Sequence, residues 1–180
     1  MLETITFSEP EIESLLTNES SGTPGITRYS DPFNSFPIKG AVFTAVSSDG
    51  SRGWFYFRTT FDNRTPYPYN FIASNVMQIH PDGLRIDFAT QTRVVAFGAA
   101  LDATSAPSSM QIRLFGPGGV DLGTRGMSLV GRSSNSEGAF YVSGVGEIVR
   151  IVITNLGDGV NPASRSGWVI DNVTFERLPM

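Results

Sequence analysis

Two groups of residues in this chain have the types and spacing to do chemistry. The first is the strand-like segment Gly167-Trp168-Val169-Ile170-Asp171-Asn172-Val173-Thr174-Phe175, in which a period of two places Val169, Asp171, Val173 and Phe175 on one face and Trp168, Ile170, Asn172 and Thr174 on the other. Burying an unpaired carboxylate costs several kcal/mol, roughly, so Asp171 must reach water, pair with a cation, cap a backbone N–H or bind a metal ion. The second group is aromatic. Trp54, Phe55, Tyr56 and Phe57 are followed by Phe61-Asp62-Asn63-Arg64-Thr65-Pro66-Tyr67-Pro68-Tyr69-Asn70 and Phe71. Sugars present C–H faces that stack on such rings and hydroxyls that hydrogen-bond Asn, Asp and Arg. Trp54, Tyr56, Asp62, Asn63, Arg64, Tyr67 and Tyr69 are therefore the candidate ligand-binding set, although strand alternation must send either Phe55 and Phe57 or Trp54 and Tyr56 into a core.

Other chemistry is poorly supplied. There is no cysteine, which removes disulfides, thiolate zinc sites and a thiol nucleophile together. His80 is the single histidine, placed before a Pro81-Asp82-Gly83 turn, and no Ser/His/Asp set forms around it in the sequence. The Glu-x-Asp-x-x-Glu spacing that would bring two carboxylates to one sugar bond does not occur. Gly116-Pro117-Gly118-Gly119 joins two strands rather than opening a helix, so it reads as a turn and not as a phosphate cradle. An enzyme is not expected.

Composition narrows the partners. The 180 residues suit one domain, residues 1–180, and the hydrophobic share of 40% is that of a folded protein. Net charge is −4 and the 13 basic residues, all Arg except Lys39, are scattered without a basic stripe, so nucleic acid is not an expected partner. No apolar run approaches the length of about 18 residues that a membrane-spanning helix needs. Met1 is followed by Leu2-Glu3-Thr4 rather than by a basic and then apolar leader, so any export signal is expected to lie outside this sequence.

The elements that must position these groups are strands. Short β-branched and aromatic runs separated by Gly, Pro, Asn, Asp and Ser predict an all-β fold, a two-sheet antiparallel β-sandwich. Twelve strands are expected: Thr4 to Phe7, Ile26 to Tyr29, Ala41 to Val46, Trp54 to Thr59, Asn75 to Ile79, Leu84 to Phe88, Val94 to Leu101, Met110 to Phe115, Gly126 to Leu129, Ala139 to Val142, Ile148 to Thr154 and Gly167 to Phe175. Glu9 to Leu16 predicts a short helix capping one sandwich edge, with Ser8 as N-cap and Pro10 in the first turn. Thr17 to Gly25, polar and small, reads as a loop.

The succession Val94-Val95-Ala96-Phe97-Gly98-Ala99-Ala100-Leu101, Met110-Gln111-Ile112-Arg113-Leu114-Phe115, Gly138-Ala139-Phe140-Tyr141-Val142, Ile148-Val149-Arg150-Ile151-Val152-Ile153 and the closing Trp168 to Phe175 resembles the jelly-roll domain of exported bacterial proteins of the PEP-CTERM type. Ile5-Thr6-Phe7-Ser8-Glu9, then Ile26-Thr27-Arg28-Tyr29 and Ile38-Lys39-Gly40-Ala41-Val42-Phe43, resemble that family's opening. The family's sorting tail is missing after Arg177-Leu178-Pro179-Met180, and Ser8 displaces the acidic residue expected after Phe7, so membrane sorting is not implied. The resemblance, which extends to MAM-like and carbohydrate-binding sandwiches, implies a jelly roll. It also implies a structural calcium held between an acidic group of the first strand, here Glu9, and the Asp of the last, here Asp171. The function it implies is that of an extracellular or surface domain that binds glycan or associates with matrix, without catalysis. The alternative is a self-assembling structural surface protein whose edge strands make homotypic contacts.

Overall fold

The computed structural model describes residues 1–22, 25–47, 53–59, 71–72, 75–80, 82–102, 108–131, 135–157 and 167–177. Its strands in chain order are β1 (Leu2–Ile5), β2 (Asn18–Gly22), β3 (Gly25–Tyr29), β4 (Ser35–Ile38), β5 (Ala41–Val46), β6 (Phe55–Arg58), β7 (Val76–Ile79), β8 (Gly83–Asp102), β9 (Ser108–Phe115), β10 (Asp121–Gly131), β11 (Asn135–Gly157) and β12 (Trp168–Glu176). All pairings among them are antiparallel. One α-helix, α1 (Pro10–Glu13), and one 3₁₀ turn, Pro117–Gly119, complete the described elements. Among the described residues no helix is long and apolar enough to cross a membrane.

Two strands build the sandwich. At about 3.3 Å per residue, the 23 residues of β11 and 20 of β8 would run well past the edge of a domain this size if straight. They bend instead. The register of β11 on β8 breaks between Ser143 and Ile148, where Gly144 (φ 70°) and Gly146 (φ 106°) adopt backbone that side chains resist. Each strand therefore serves both layers. In one layer β4 and β5 lie beside residues 83–88 of β8, then residues 148–157 of β11, β9 and β10. In the other, β2, β3, β6, β7 and β12 continue into residues 94–102 of β8 and 135–143 of β11. β1 runs along the second half of β12, from Leu2↔Glu176 to Ile5↔Val173. The result is an antiparallel β-sandwich of jelly-roll type.

Alternation produces the core between the layers. In β9, Met110, Ile112 and Leu114 are buried while Gln111 and Arg113 are exposed. Phe7, Phe43, Phe55, Phe57, Trp168 and Phe175 fill the centre, and α1 adds Ile12 beneath the N-terminal edge.

The structure corrects four expectations. The pairs of strands expected at 84–88 and 94–101, and at 139–142 and 148–154, are each one continuous strand, because a bulge bends the ladder without breaking it. Asn18–Gly22, expected to be loop, is β2, paired with β3 from Asn18↔Tyr29 to Gly22↔Gly25. β4 was not expected either; it carries Pro37 at a sheet edge, where a missing N–H costs no ladder bond. The helix is four residues long with Glu9, not Ser8, at its N-cap.

Candidate functional site

The last strand shows how Asp171 is accommodated. β12 pairs Asp171 with Gly98 but Thr174 with Ala96, so one extra residue is inserted, and Asn172 takes the left-handed conformation at φ 53°. A strict period of two fails there. Trp168, Ile170, Val173 and Phe175 all enter the main core, while Val169 packs on the outer face with Ile72, Val76 and Ala100. Asp171 is thus not on the face of Val173 and Phe175. It lies beneath residues 71–72, which cross the outer face so closely that a Cβ at Gly98 would stand 2.2 Å from the Phe71 carbonyl oxygen. Asp171 is fully buried, its Oδ1 accepting the Asn172 N–H at 2.7 Å and its Oδ2 accepting from Asn172 Nδ2 at 3.1 Å. Backbone capping, one of the roles open from the sequence, is in place.

Glu9, also buried, accepts the Thr6 N–H on Oε1 at 3.1 Å, and the Lys39 ammonium stands 2.8 Å from the same atom. Lys39 donates to the Thr4 carbonyl oxygen at 3.1 Å, and its pKa is raised, chiefly by the hydrogen bond to Glu9. The only lysine of the chain therefore brings a cation to Glu9. Among the described residues no three His, Asp or Glu side chains gather as a metal ion would need. These donors do not by themselves compose a calcium shell.

The aromatic set resolves differently. In β6, Phe55 and Phe57 are fully buried, which turns Trp54, Tyr56 and Arg58 to the outside. Trp54 is 39% exposed. The Phe55↔Ile79 register sets Trp54 opposite His80, whose backbone N–H donates to the Trp54 carbonyl at 3.0 Å. The imidazole stacks on the indole at 3.8 Å and 14°, and Tyr56 lies nearly parallel to both, 5.4 Å from His80 and 5.9 Å from Trp54. On the other flank β3 pairs Tyr29 with Arg58, and the Tyr29 ring meets Tyr56 edge-on at 6.2 Å.

Beyond β3 the chain follows β6. Ser30 N–H donates to Phe57 O at 2.9 Å, Phe33 exchanges backbone bonds with Phe55 at 2.7 and 2.9 Å, and Asn34 Nδ2 donates to Gly53 O at 2.7 Å. Asn18 of β2 donates from Nδ2 to Asp31 Oδ1 at 3.1 Å. Between these segments lies a hollow of about 520 Å³, walled by Tyr29, Tyr56 and Trp54 and edged by Asn18, Asp31 and Arg58. A second hollow, of about 300 Å³, lies against Pro32, Phe33, Asn34 and Trp54. Rings for stacking and polar groups for hydroxyls are thus side by side on a backbone fixed by strand pairing.

Of the ligand-binding residues expected from sequence, Trp54 and Tyr56 come together here. Asp62, Asn63, Arg64, Tyr67 and Tyr69 lie outside the described residues. Sequence reasoning missed Tyr29, Asp31, Asn18, Arg58 and His80. Arg58 shares the parity of Trp54 and Tyr56 and could have been found once that face was known to be outside, whereas Asn18 and Asp31 depend on the β2–β3 pairing.

Burial lowers the His80 pKa from the usual histidine value, and the positive charge of Arg58 adds to this. The unfolded chain then binds the proton more readily than the folded one. The stabilising contribution is complete above the unfolded value of about 6.5 and is lost as pH falls through it toward the folded value. Wild-type protein is therefore expected to lose more melting temperature between pH 7 and pH 5 than His80→Phe, which keeps a ring against Trp54 and removes the titration. Equal losses in the two proteins would show that His80 does not contribute.

No protein-family model matches the chain, and neither does any curated protein. Among solved structures it is similar to a DUF4465 family protein from Bacteroides caccae ATCC 43185, at 12% identity and a TM-score of 0.55, over 99% of this chain and 100% of that one. A DUF4465 family protein from Bacteroides ovatus ATCC 8483 aligns at 14% identity and a TM-score of 0.48, over 98% and 94%. A family 29 carbohydrate binding module from Piromyces equi aligns at 12% identity and a TM-score of 0.39, over 83% and 89%. The resemblance to PEP-CTERM-type proteins rests on the sequence pattern alone. What the Bacteroides caccae protein shares with this chain is the fold, over the full length of both.

Proposed function

We propose that this domain is a non-catalytic glycan-binding module that works outside the cell, and that its binding surface is the outer face of β6 with the Tyr29–Asn34 segment beside it. The observation that supports this is the outward Trp54–Tyr56 pair, preset by stacking with His80 and bordered by Asn18, Asp31 and Arg58. Rings held in place before the ligand arrives lose little conformational freedom on binding. Among the described residues that line the hollows, Asp31 is the one carboxylate. Held on Oδ1 by Asn18 Nδ2, it is placed to accept hydrogen bonds from sugar hydroxyls. Affinity gels cast with soluble polysaccharides, together with a glycan array, test the reading. Retention that is lost in Trp54→Ala supports it, and free migration on every gel with a blank array removes it.

The structural calcium is a separate proposal with narrower support. Among the described residues Glu9 Oε2 is buried without a hydrogen-bond partner, so a cation could still use it while Oε1 keeps Lys39. An ion that binds only the native state at a hundred times its Kd adds about 2.7 kcal/mol. In a protein of this size that is about 5 to 11 °C in melting temperature. A shift of this order between calcium and chelator, absent from Asp171→Asn, is the expected outcome. Superimposable melting curves would leave Glu9 to Lys39 and Asp171 to its capping role.

A further inference from the structure

We propose that the ligand is an internal run of a linear glycan, lying along β6 and crossing Trp54 from one hollow into the other, rather than a single sugar or a chain end. This rests on the glycan-binding reading above and adds the class of chain.

The two hollows are consecutive. Both are walled by Pro32 and Trp54, so these two side chains form a ridge that the hollows share. The larger hollow reaches to Arg58, four residues along the strand from Trp54, which at about 3.3 Å per residue is about 13 Å. The smaller one extends the path toward Asn34, whose side chain is tied to Gly53 O. A single sugar ring would leave most of this path empty. The ridge is also held in place: one face of Trp54 lies on His80 at 3.8 Å, and the cross-strand backbone bond at 3.0 Å fixes the distance between the two residues. An indole so placed does not fold down to close off either hollow without giving up that stack.

The hollows differ in chemistry. The larger has the Asn18–Asp31 pair and Arg58 within reach of hydroxyls, while the smaller is apolar except for Asn34. One part of the chain would be oriented by hydrogen bonds and the next held by ring contact, so affinity should grow with the number of units.

The test is isothermal titration with cello-, xylo- and manno-oligosaccharides of one to six units, preceded by gels of the parent polysaccharides. The expected result, for the series that binds, is a Kd that falls about tenfold or more between two and six units, the equivalent of about 1.4 kcal/mol. Asn34→Ala, with its melting curve checked, should reduce this gain. Equal affinity for the disaccharide and the hexasaccharide in wild-type protein would overturn the inference and leave the glycan reading standing. No binding in any series, with no retention on any parent gel, would overturn both.

Discussion

Phe57→Ala is expected to cost about 3 to 5 kcal/mol, the range for removing a large aromatic side chain from a packed interior. For a chain of this length that corresponds to a fall in melting temperature of about 6 to 20 °C. The ring is fully buried. Its centroid lies 5.0 Å from that of Phe36, 5.8 Å from those of Phe7 and Phe33, and 5.9 Å from that of Phe55. These rings come from the segment leading into α1, the chain between β3 and β4, β4 and β6 itself, so the walls of the cavity cannot all move inward. Tyr56→Ala, one residue away on the outer face, should cost about 1 kcal/mol. Thermal or urea unfolding of the two variants decides the parity of β6. Comparable losses would mean that β6 does not insert Phe57 and present Tyr56.

The reason for pairing those two variants is that parity was the point on which the sequence was silent. Trp-Phe-Tyr-Phe is apolar on both faces, so period two separates the residues into two sets without saying which set is inside. The phenylalanine packing around Phe57 decides it, and Phe7, Phe33 and Phe36 are distant in sequence from β6. Where one face is polar, as in Met110-Gln111-Ile112-Arg113-Leu114, the observed burial follows the alternation of residue types.

Asp171 shows a different limit. Its burial was legible from its neighbours, but its face was not, because the inserted residue between Asp171 and Thr174 reverses parity in mid-strand. An asparagine in the left-handed region is the local signal of such a bulge, and it carries too little information to be read without the partner strand. Edge strands escaped for a third reason. β2 is held to β3 by backbone pairing over residues that include Asn18, Glu19 and Ser20, a composition that signals a loop when packing is the criterion. That omission concealed two polar residues of the candidate site, since Asn18 and Asp31 meet only when β2 and β3 form a hairpin.

Trp54→Ala is expected to abolish retention on any polysaccharide gel that retards the wild-type protein. A central aromatic residue at a binding surface typically contributes about 2 kcal/mol or more when truncated, so the Kd should rise at least about thirtyfold. Three features place Trp54 above the other lining residues: it borders both hollows, it is 39% exposed, and its orientation is set by the His80 stack rather than by ligand. Losing that stack costs stability as well, by about 0.5 to 1.5 kcal/mol. A melting temperature within a few degrees of wild type therefore separates lost binding from lost fold. Trp54→Phe should keep part of the retention, because a smaller ring still offers a face to a sugar. Val130→Ala, which removes another exposed apolar side chain on β10, should change nothing. If Trp54→Ala and Val130→Ala weaken retention alike, the interaction is general surface adhesion; if neither does, β6 is not the binding face and the outward aromatic pair serves only to pack His80.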